Sequence, residues 1–337
     1  VEILKLHLVK WIWGINMKFN PNGESFTMNS NYSNQEMKKS YEESSYAWSP
    51  GDNGILRVTK SSLGDFNWCP YQYYLTKILG HRGEENEHMV KGTNVHDVVE
   101  YFWKNVNDVL PEVMNLIKDK KHLLGYDKLK SVIPKPPKAY MYGEAAIIET
   151  WLRWQWDRLL VTKGKDWIPV GNEVEGHARI EVEVDDVSYP VHLKGFIDRI
   201  FSDSEGGFIL MELKTGKWNP KKATSMRTEM QFYKMLLEEG DMEEFLPVSH
   251  WAWEFPDGDV RNGTKKEWEI EEIGTRKTKY APRTVNNRMK KLVEAHVKNE
   301  FPPIHKDTCK SYCRHENLCS WCDFMDLCPS WNGGIKI

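Results

Sequence analysis

No stretch of this 337-residue chain is long and apolar enough to cross a bilayer, which takes about 20 apolar residues. The apolar start, Val1 to Trp13, is broken by Glu2, Lys5, His7 and Lys10, so it does not read as a signal peptide. A cytosolic (cytoplasmic) location is the expectation. The chain opens on Val, so residues before Met17 read as an upstream extension or a fragment edge. Positive charge is not in excess: 46 Lys and Arg face 49 Asp and Glu, for a net charge of −3. That excludes a generally basic coat and leaves any nucleic-acid contact to local patches. Cysteine is sparse, with 6 in the chain, too few for a disulfide scaffold. Five of them, Cys309, Cys313, Cys319, Cys322 and Cys328, crowd the C-terminal end, which points to metal. No Gly-Lys-Ser/Thr nucleotide loop occurs, so a helicase motor is not encoded here.

Length allows a large core, as one elaborated domain or two small ones. Residues 18–54 are rich in Asn, Ser, Gly and Glu with little periodicity, and 1–54 reads as a mobile leader. Order is expected from Ile55. A helix over 61–68 precedes a turn at Cys69-Pro70 and a second, aromatic-rich helix. Val95, Val98, Val99 and Phe102 form an apolar stripe on a helix over 92–103. A helical insertion occupies about 105–140, and another helix runs from about Gly143 to Leu160. Strands follow over 173–184, 189–201 and 207–213, then a helix over 224–239 and a strand near 250–255. Asn262-Gly263 signals a hairpin. A last helix spans about 284–299, before a cysteine-rich segment over 301–330. This order predicts an α/β or α+β fold on a mixed sheet.

Two strands, around Gly195-Phe-Ile-Asp198 and Met211-Glu212-Leu-Lys214, flank the polar run Ser202 to Gly207. With the turn centred near Glu205, Asp198 and Glu212 oppose each other across a hairpin. Opposed residues have Cβ atoms about 4.5–5.5 Å apart, close enough for two carboxylates to share a divalent cation. Alternation puts Glu212 and Lys214 on one face and Leu213 in the core. The bland alternative is a surface salt bridge, against which the apolar run Phe208 to Met211 argues, because it marks a central strand.

Other constellations gather around this one. Gly92, His96 and Glu100 recur at i, i+4 and i+8 along one helical face, where His96 could ligate a metal or merely pair with Glu100. Arg227, Gln231 and Lys234 share a polar side of their helix, while Met230, Tyr233 and Leu237 face the core. There Gln231 could orient water or a phosphate oxygen, or simply belong to an ordinary amphipathic helix. Cys319, Cys322 and Cys328, with distant Cys69, could form a four-thiolate site for zinc or an iron–sulfur cluster. Cys309 and Cys313 could instead complete a local zinc site with Cys319 and Cys322, leaving Cys69 a buried thiol. Of 15 tryptophans most belong to the core, whereas Trp218 beside Lys217 suits base stacking.

Together these motifs resemble the RecB-like branch of the PD-(D/E)XK nucleases. More narrowly they resemble its iron–sulfur members, the AddB-type nuclease domain and the CRISPR-adaptation exonucleases. The resemblance is carried by Cys69-Pro-Tyr-Gln-Tyr-Tyr, Gly92-Thr-Asn-Val-His96, Gly195-Phe-Ile-Asp198, Glu212-Leu-Lys214-Thr-Gly-Lys217, Gln231 and the closing cysteine triplet. It spans residues 55–330. It departs from the pattern where the glutamine motif carries a tyrosine four residues on: Met235 stands there, and Tyr233 comes at plus two. The resemblance implies a restriction-endonuclease-like mixed sheet flanked by helices, with N- and C-terminal segments joined by a 4Fe-4S cluster on Cys69, Cys319, Cys322 and Cys328. It implies Mn²⁺ or Mg²⁺ held by His96, Asp198, Glu212 and the Leu213 carbonyl. Asp198, Glu212, Lys214 and Gln231 would be catalytic, and Lys217, Trp218, Arg227 and Lys234 would contact DNA. The expected activity is single-strand exonuclease action in recombination, repair or CRISPR adaptation, with a helicase or adaptation proteins as partners. The alternative is a non-catalytic DNA-binding or scaffold subunit.

Overall fold

The computed structural model describes residues 55–83, 86–134, 140–257, 268–304, 319 and 322–330. Cys309, Cys313 and the Asn262-Gly263 turn lie outside the described residues. The chain divides into two compact units, each assembled from separated segments. One comprises Glu84–Gly176 and Gly195–Val285; the other takes the described residues up to Gly83, His177–Lys194 and those from Asn286 onward.

The first of these units contains the helices α3 (Glu87–Asn105), α4 (Leu110–Lys118), α5 (His122–Lys130), α6 (Glu144–Thr162) and α7 (Ala223–Glu238). It also holds β4 (Phe208–Leu213), β5 (Val248–Glu254) and β6 (Trp268–Glu272). Two long strands, β2 (Gly171–Val184) and β3 (Val187–Ser202), pair with each other and supply residues to both units. β3 runs antiparallel to β4, β4 parallel to β5, and β5 antiparallel to β6. The sheet is therefore mixed, with the nearly all-apolar β4 in its middle, as a strand covered on both faces requires. α3 starts where the Asn86 side chain accepts from Met89 N–H at 3.0 Å, satisfying a donor the helix would leave bare. The single helical segment expected over 105–140 is two helices instead. Lys120 adopts a left-handed backbone (φ +61°) that no helix can continue through.

The expected stripe Val95, Val98, Val99 and Phe102 is buried, packed with Trp103, Trp151, Trp167, Phe201 and Leu213. Phe102 meets Trp151 edge-on, with centroids 5.1 Å apart. Complete burial of each such side chain contributes about 1.5–3 kcal/mol, so this aromatic cluster anchors the sheet end that carries Leu213.

In the other unit β1 (Leu56–Thr59) pairs parallel with the first half of β3, Leu56 opposite Val191 and Thr59 opposite Lys194. Thr59 then caps α1 (Lys60–Trp68) through a reciprocal bond pattern with Ser62. α1 stops at Cys69, whose extended backbone precedes Pro70 as sterics demand, and α2 (Pro70–Tyr73) follows. α8 (Ala281–Lys298) crosses the division, its residues from Asn286 belonging here. Tyr73 shares a 2.9 Å hydrogen bond with His296 Nε2 and stacks on Phe301, tying α2 to the chain after α8.

Two histidines make this unit acid-sensitive. Burial pushes His296 down to about 3, and burial with His177, Arg57 and Lys194 nearby does the same to His192. Both groups are neutral when folded but take a proton below about 6.5 when unfolded. Stability is thus complete above that pH and falls as pH drops from about 6.5 toward 3. At pH 5 the loss amounts to about 2 kcal/mol per histidine. Denaturant titrations at pH 7 and 5 should differ by about 4 kcal/mol for the two histidines together, and His296→Gln should remove about half of the difference.

Candidate active site

The Ser202–Phe208 connection turns at Asp203, whose N–H donates to Gly207 O at 2.7 Å, and at Gly206, which has the left-handed φ of +89° that glycine tolerates. Arg199 pairs with Met211 and Ile200 with Leu210, a register centred on residue 205. Continued one step, it sets Asp198 across from Glu212. There the ladder gives way to a side-chain bond: Leu213 N–H donates to Asp198 Oδ2 at 2.8 Å. Asp198 and Glu212 are both buried, at 7% and 3% exposure, too low for surface acids.

His96, on the third turn of α3, places Nε2 3.1 Å from the Leu213 carbonyl oxygen and Nδ1 3.7 Å from Asp198 Oδ2. A ring donating from Nε2 turns the Nδ1 lone pair toward that carboxylate. Two acceptors facing each other repel, and a cation between them relieves that repulsion. The third member of this group is Glu173. Ligand atoms of His96, Glu173 and Asp198 all lie within 4.8 Å of one another, and among the described residues this is the one such set. One nitrogen and two carboxylates suit Mn²⁺ or Mg²⁺, so the residues present fit a divalent ion.

Glu173 escaped the sequence reading, which took it only as the start of a strand over 173–184. In β2 the even positions Gly176, Ala178, Val182 and Val184 are buried, yet Gly171 is buried as well. The phase breaks at Glu173, which holds a left-handed φ of +49° that costs a non-glycine residue roughly 1–2 kcal/mol. A Cβ on Gly171 would sit 2.6 Å from Val174 Cγ2, so the kink requires glycine there. The Gly171-Asn-Glu opening of the strand was the available signal. Burial, then the charges of Asp198 and Glu100, push the Glu173 carboxyl up to about 7, and Arg199 opposes them.

Lys214 leaves the end of β4 with its ammonium 2.9 Å from Glu212 Oε1 and 2.6 Å from Glu229 Oε2 of α7. Glu229 was not singled out in the sequence; two fixed acids hold the amine at the mouth of the site. Tyr233 is buried, and its hydroxyl bonds Glu212; burial and the charges of Glu212 and Asp198 raise its pKa well above the usual value. The tyrosine at plus two therefore reaches the acid although Met235 occupies the expected position.

The polar side expected on α7 is mostly covered. Gln231 is buried at 5% exposure. Arg227 makes two 2.6 Å bonds to buried Glu271 of β6, and Lys234 pairs with Glu238. The helical period alone could not reveal β6 lying alongside with an acid ready for Arg227. Lys217 is exposed and Trp218 half-buried just past the strand end.

In the other unit the tail packs on the segment after Cys69: Tyr71 O–H donates to Leu327 O at 3.2 Å, and His81 lies against Phe324. Cys69, Cys319, Cys322 and Cys328 are of intermediate exposure. Burial, with Cys69 and Cys328 close enough to act on its charge, pushes the Cys322 thiol up.

A family model for the PD-(D/E)XK nuclease superfamily matches residues 57–329. The chain belongs to that superfamily. A comparison with curated proteins gives no match. Among solved structures, the crystal structure of SSO0001 is similar at 17% identity and TM-score 0.29, covering 79% of this chain and 96% of that one. A "Putative exonuclease" from Eubacterium rectale is similar at 12% identity and TM-score 0.41, covering 88% and 95%. Neither superposition is close enough to add to what the family model shows.

Proposed function

We propose that the protein is a metal-dependent deoxyribonuclease acting on single-stranded DNA ends. The observation that carries this reading is the convergence of His96, Glu173 and Asp198 on one point, with the Lys214 amine held at the adjoining strand end. Asp198, Glu173 and His96 would hold Mn²⁺ or Mg²⁺, with Glu212 and the Leu213 carbonyl alongside. A divalent ion there supplies Lewis-acid polarisation of the phosphate and lowers the pKa of water. Lys214, its ammonium held by Glu212 and Glu229, binds a nonbridging oxygen of the scissile phosphate and stabilises charge developing on it. The Glu212 carboxylate, fixed by Lys214 and Tyr233, stands where it can accept a proton from attacking water. Gln231 steadies the interior of α7 behind these groups. Lys217 and Trp218 guide the strand to the site, the ammonium toward phosphate and the indole toward a base. Arg227 and Lys234 act more weakly, since each already has an acidic partner.

Labelled single strands incubated with protein and Mn²⁺ test this reading. Short products that need both protein and metal are expected. Intact substrate at every metal tried would end the catalytic reading and leave a DNA-binding or scaffold subunit.

The four cysteines are proposed to hold a 4Fe-4S cluster with a structural role. What supports this reading is that Cys69 and Cys328 lie close enough to Cys322 to disfavour its thiolate, a repulsion that a bound cationic cluster would remove. Closing a loop of some 250 residues in this way favours the folded state. Protein purified without oxygen should be brown, and Cys328→Ser should lose the colour together with its iron. Colourless protein carrying one zinc per chain would favour a zinc site.

A further inference from the structure

Between Glu272 and Glu294 the chain carries seven lysines and arginines and no acid, in a protein whose net charge is −3. The reaction outlined above uses none of them. The first four, Arg276, Lys277, Lys279 and Arg283, belong to the unit that holds the active site.

The turn after β6 is built to hold these cations outward. Gly274 takes a left-handed φ of +88°, which leads the chain out of the strand. Thr278 is buried at 1% exposure, and its hydroxyl donates to Glu272 O at 3.0 Å. Thr275 Oγ1 donates to the same carbonyl at 3.1 Å, and Lys279 N–H donates back to Thr275 O at 2.9 Å. With Thr278 anchored inward, Arg276, Lys277, Lys279 and Tyr280 beside it are all exposed. Arg283 follows, exposed in the first turn of α8, where the helix dipole disfavours a cation. Lys277 stands 3.6 Å from Glu269 and 3.7 Å from Glu271, whereas Arg276, Lys279 and Arg283 have no acidic partner among the described residues. Cations crowded on a rigid turn repel one another until an anion arrives.

Lys277 also fixes where the patch lies. It lines a cleft of about 300 Å³ together with Trp218 and Arg227, and Trp218 is four residues past Lys214. Glu212 pairs with Trp253 on β5, and Trp253 with Glu269 on β6. Strands spaced about 4.8 Å apart put Glu269, and Lys277 beside it, roughly 10 Å from Glu212. A strand whose phosphate is at Lys214 therefore reaches the patch within a few nucleotides. Tyr280 favours nucleic acid over an acidic protein as the occupant: its ring is 60% exposed among the cations, with the Lys279 ammonium 4.9 Å from its centroid. Aromatic faces interleaved with positive charge suit bases and phosphates together.

We infer that this turn and the start of α8 form a backbone track for the DNA strand beyond the scissile phosphate. Arg276, Lys279 and Arg283 meet its phosphates, and Tyr280 stacks on a base. The inference rests on the nuclease reading and gives its substrate a second contact surface, away from the chemistry. Such contacts position the strand without reading its sequence. Strands too short to reach the turn gain nothing from it, and longer ones bind more tightly.

The test joins Arg276→Gln, Lys279→Gln and Arg283→Gln in one variant. It uses labelled single strands of about 4 and about 20 nucleotides, the lower and upper ends of what one single-strand groove holds. Binding is read by anisotropy in Ca²⁺, without cleavage. The triple variant should bind the long strand about tenfold more weakly than wild type, and the short strand within about twofold of it. Its slope of log affinity against log salt on the long strand should be shallower by about 2, three phosphates at about 0.7 each. Tyr280→Ala should weaken long-strand binding with the slope unchanged, since it removes a ring and no charge. Arg276→Lys with Arg283→Lys keeps the charge and should keep the wild-type slope. Should the triple variant fail to fold, the single Arg276→Gln and Arg283→Gln variants decide, each expected to lower the slope by about 0.7. Equal slopes and equal long-strand affinities in wild type and the neutralised variants would overturn the inference and leave the patch to an acidic protein. If wild type cuts nothing in Mn²⁺, the nuclease reading fails, and the binding arm in Ca²⁺ still decides the track.

Discussion

Asp198→Asn should cut single-strand cleavage by about a thousandfold or more while leaving the fold intact. The substitution separates two jobs of one side chain. Asp198 Oδ2 accepts from Leu213 N–H, and an amide oxygen can accept the same bond, so the end of β4 keeps its place. What goes is the charge shared with His96 and Glu173. Divalent-ion affinity should fall with activity, and calorimetric titration of Mn²⁺ should register it directly. The melting temperature should stay within a few degrees of wild type, which distinguishes lost chemistry from lost structure. Lys214→Met should be nearly as inactive with metal affinity retained, because in the proposed reaction the amine binds phosphate and does not belong to the His96, Glu173 and Asp198 group. Equal product from wild type, Asp198→Asn and Lys214→Met would assign cleavage to a contaminant.

The largest stability effect is expected at Glu254, on the opposite face of β5 from Trp253. Its carboxylate accepts from Arg199 Nη2 at 2.8 Å, Trp151 Nε1 at 3.1 Å and Gln155 Nε2 at 2.8 Å. Arg199 is only 2% exposed, so Glu254→Ala strands a guanidinium and two further donors away from water. Breaking a buried pair of this kind costs about 3–5 kcal/mol. The melting temperature should drop by roughly 10 °C, at the 2–4 °C per kcal/mol typical of this size. Arg199→Met should be similarly damaging. The double variant Arg199→Met with Glu254→Met should recover part of the loss, since no charge remains buried unpaired. Additive losses would show that the pair acts through packing alone.

Much of the fold was legible because its signals are local. The alternation before and after Ser202 to Gly207, with glycine in the turn, sufficed to find a hairpin and to set Asp198 across from Glu212. Helical period likewise set His96 along one face with Gly92 and Glu100, beside the stripe from Val95 to Phe102. Cys69-Pro70 marked a helix boundary through proline sterics. Other features depended on what meets from distant segments. Period placed Arg227 and Gln231 on a solvated side of α7, yet Glu271 of β6 claims the guanidinium. The break in β2 was hidden, since a single left-handed residue shifts the phase without altering composition. Glu173 consequently read only as the start of a strand.

The residues alone determined most of the candidate groups and their order on strands and helices, because backbone sterics and side-chain period act over a few positions. Tertiary structure decided which of those groups meet. It made Glu173 the third member of the His96 and Asp198 group, handed Glu212 to Lys214 and Tyr233, and tied Lys214 to Glu229. Contacts between segments depend on how strands stack and where a kink aims one side chain, and no local rule along the chain contains that information.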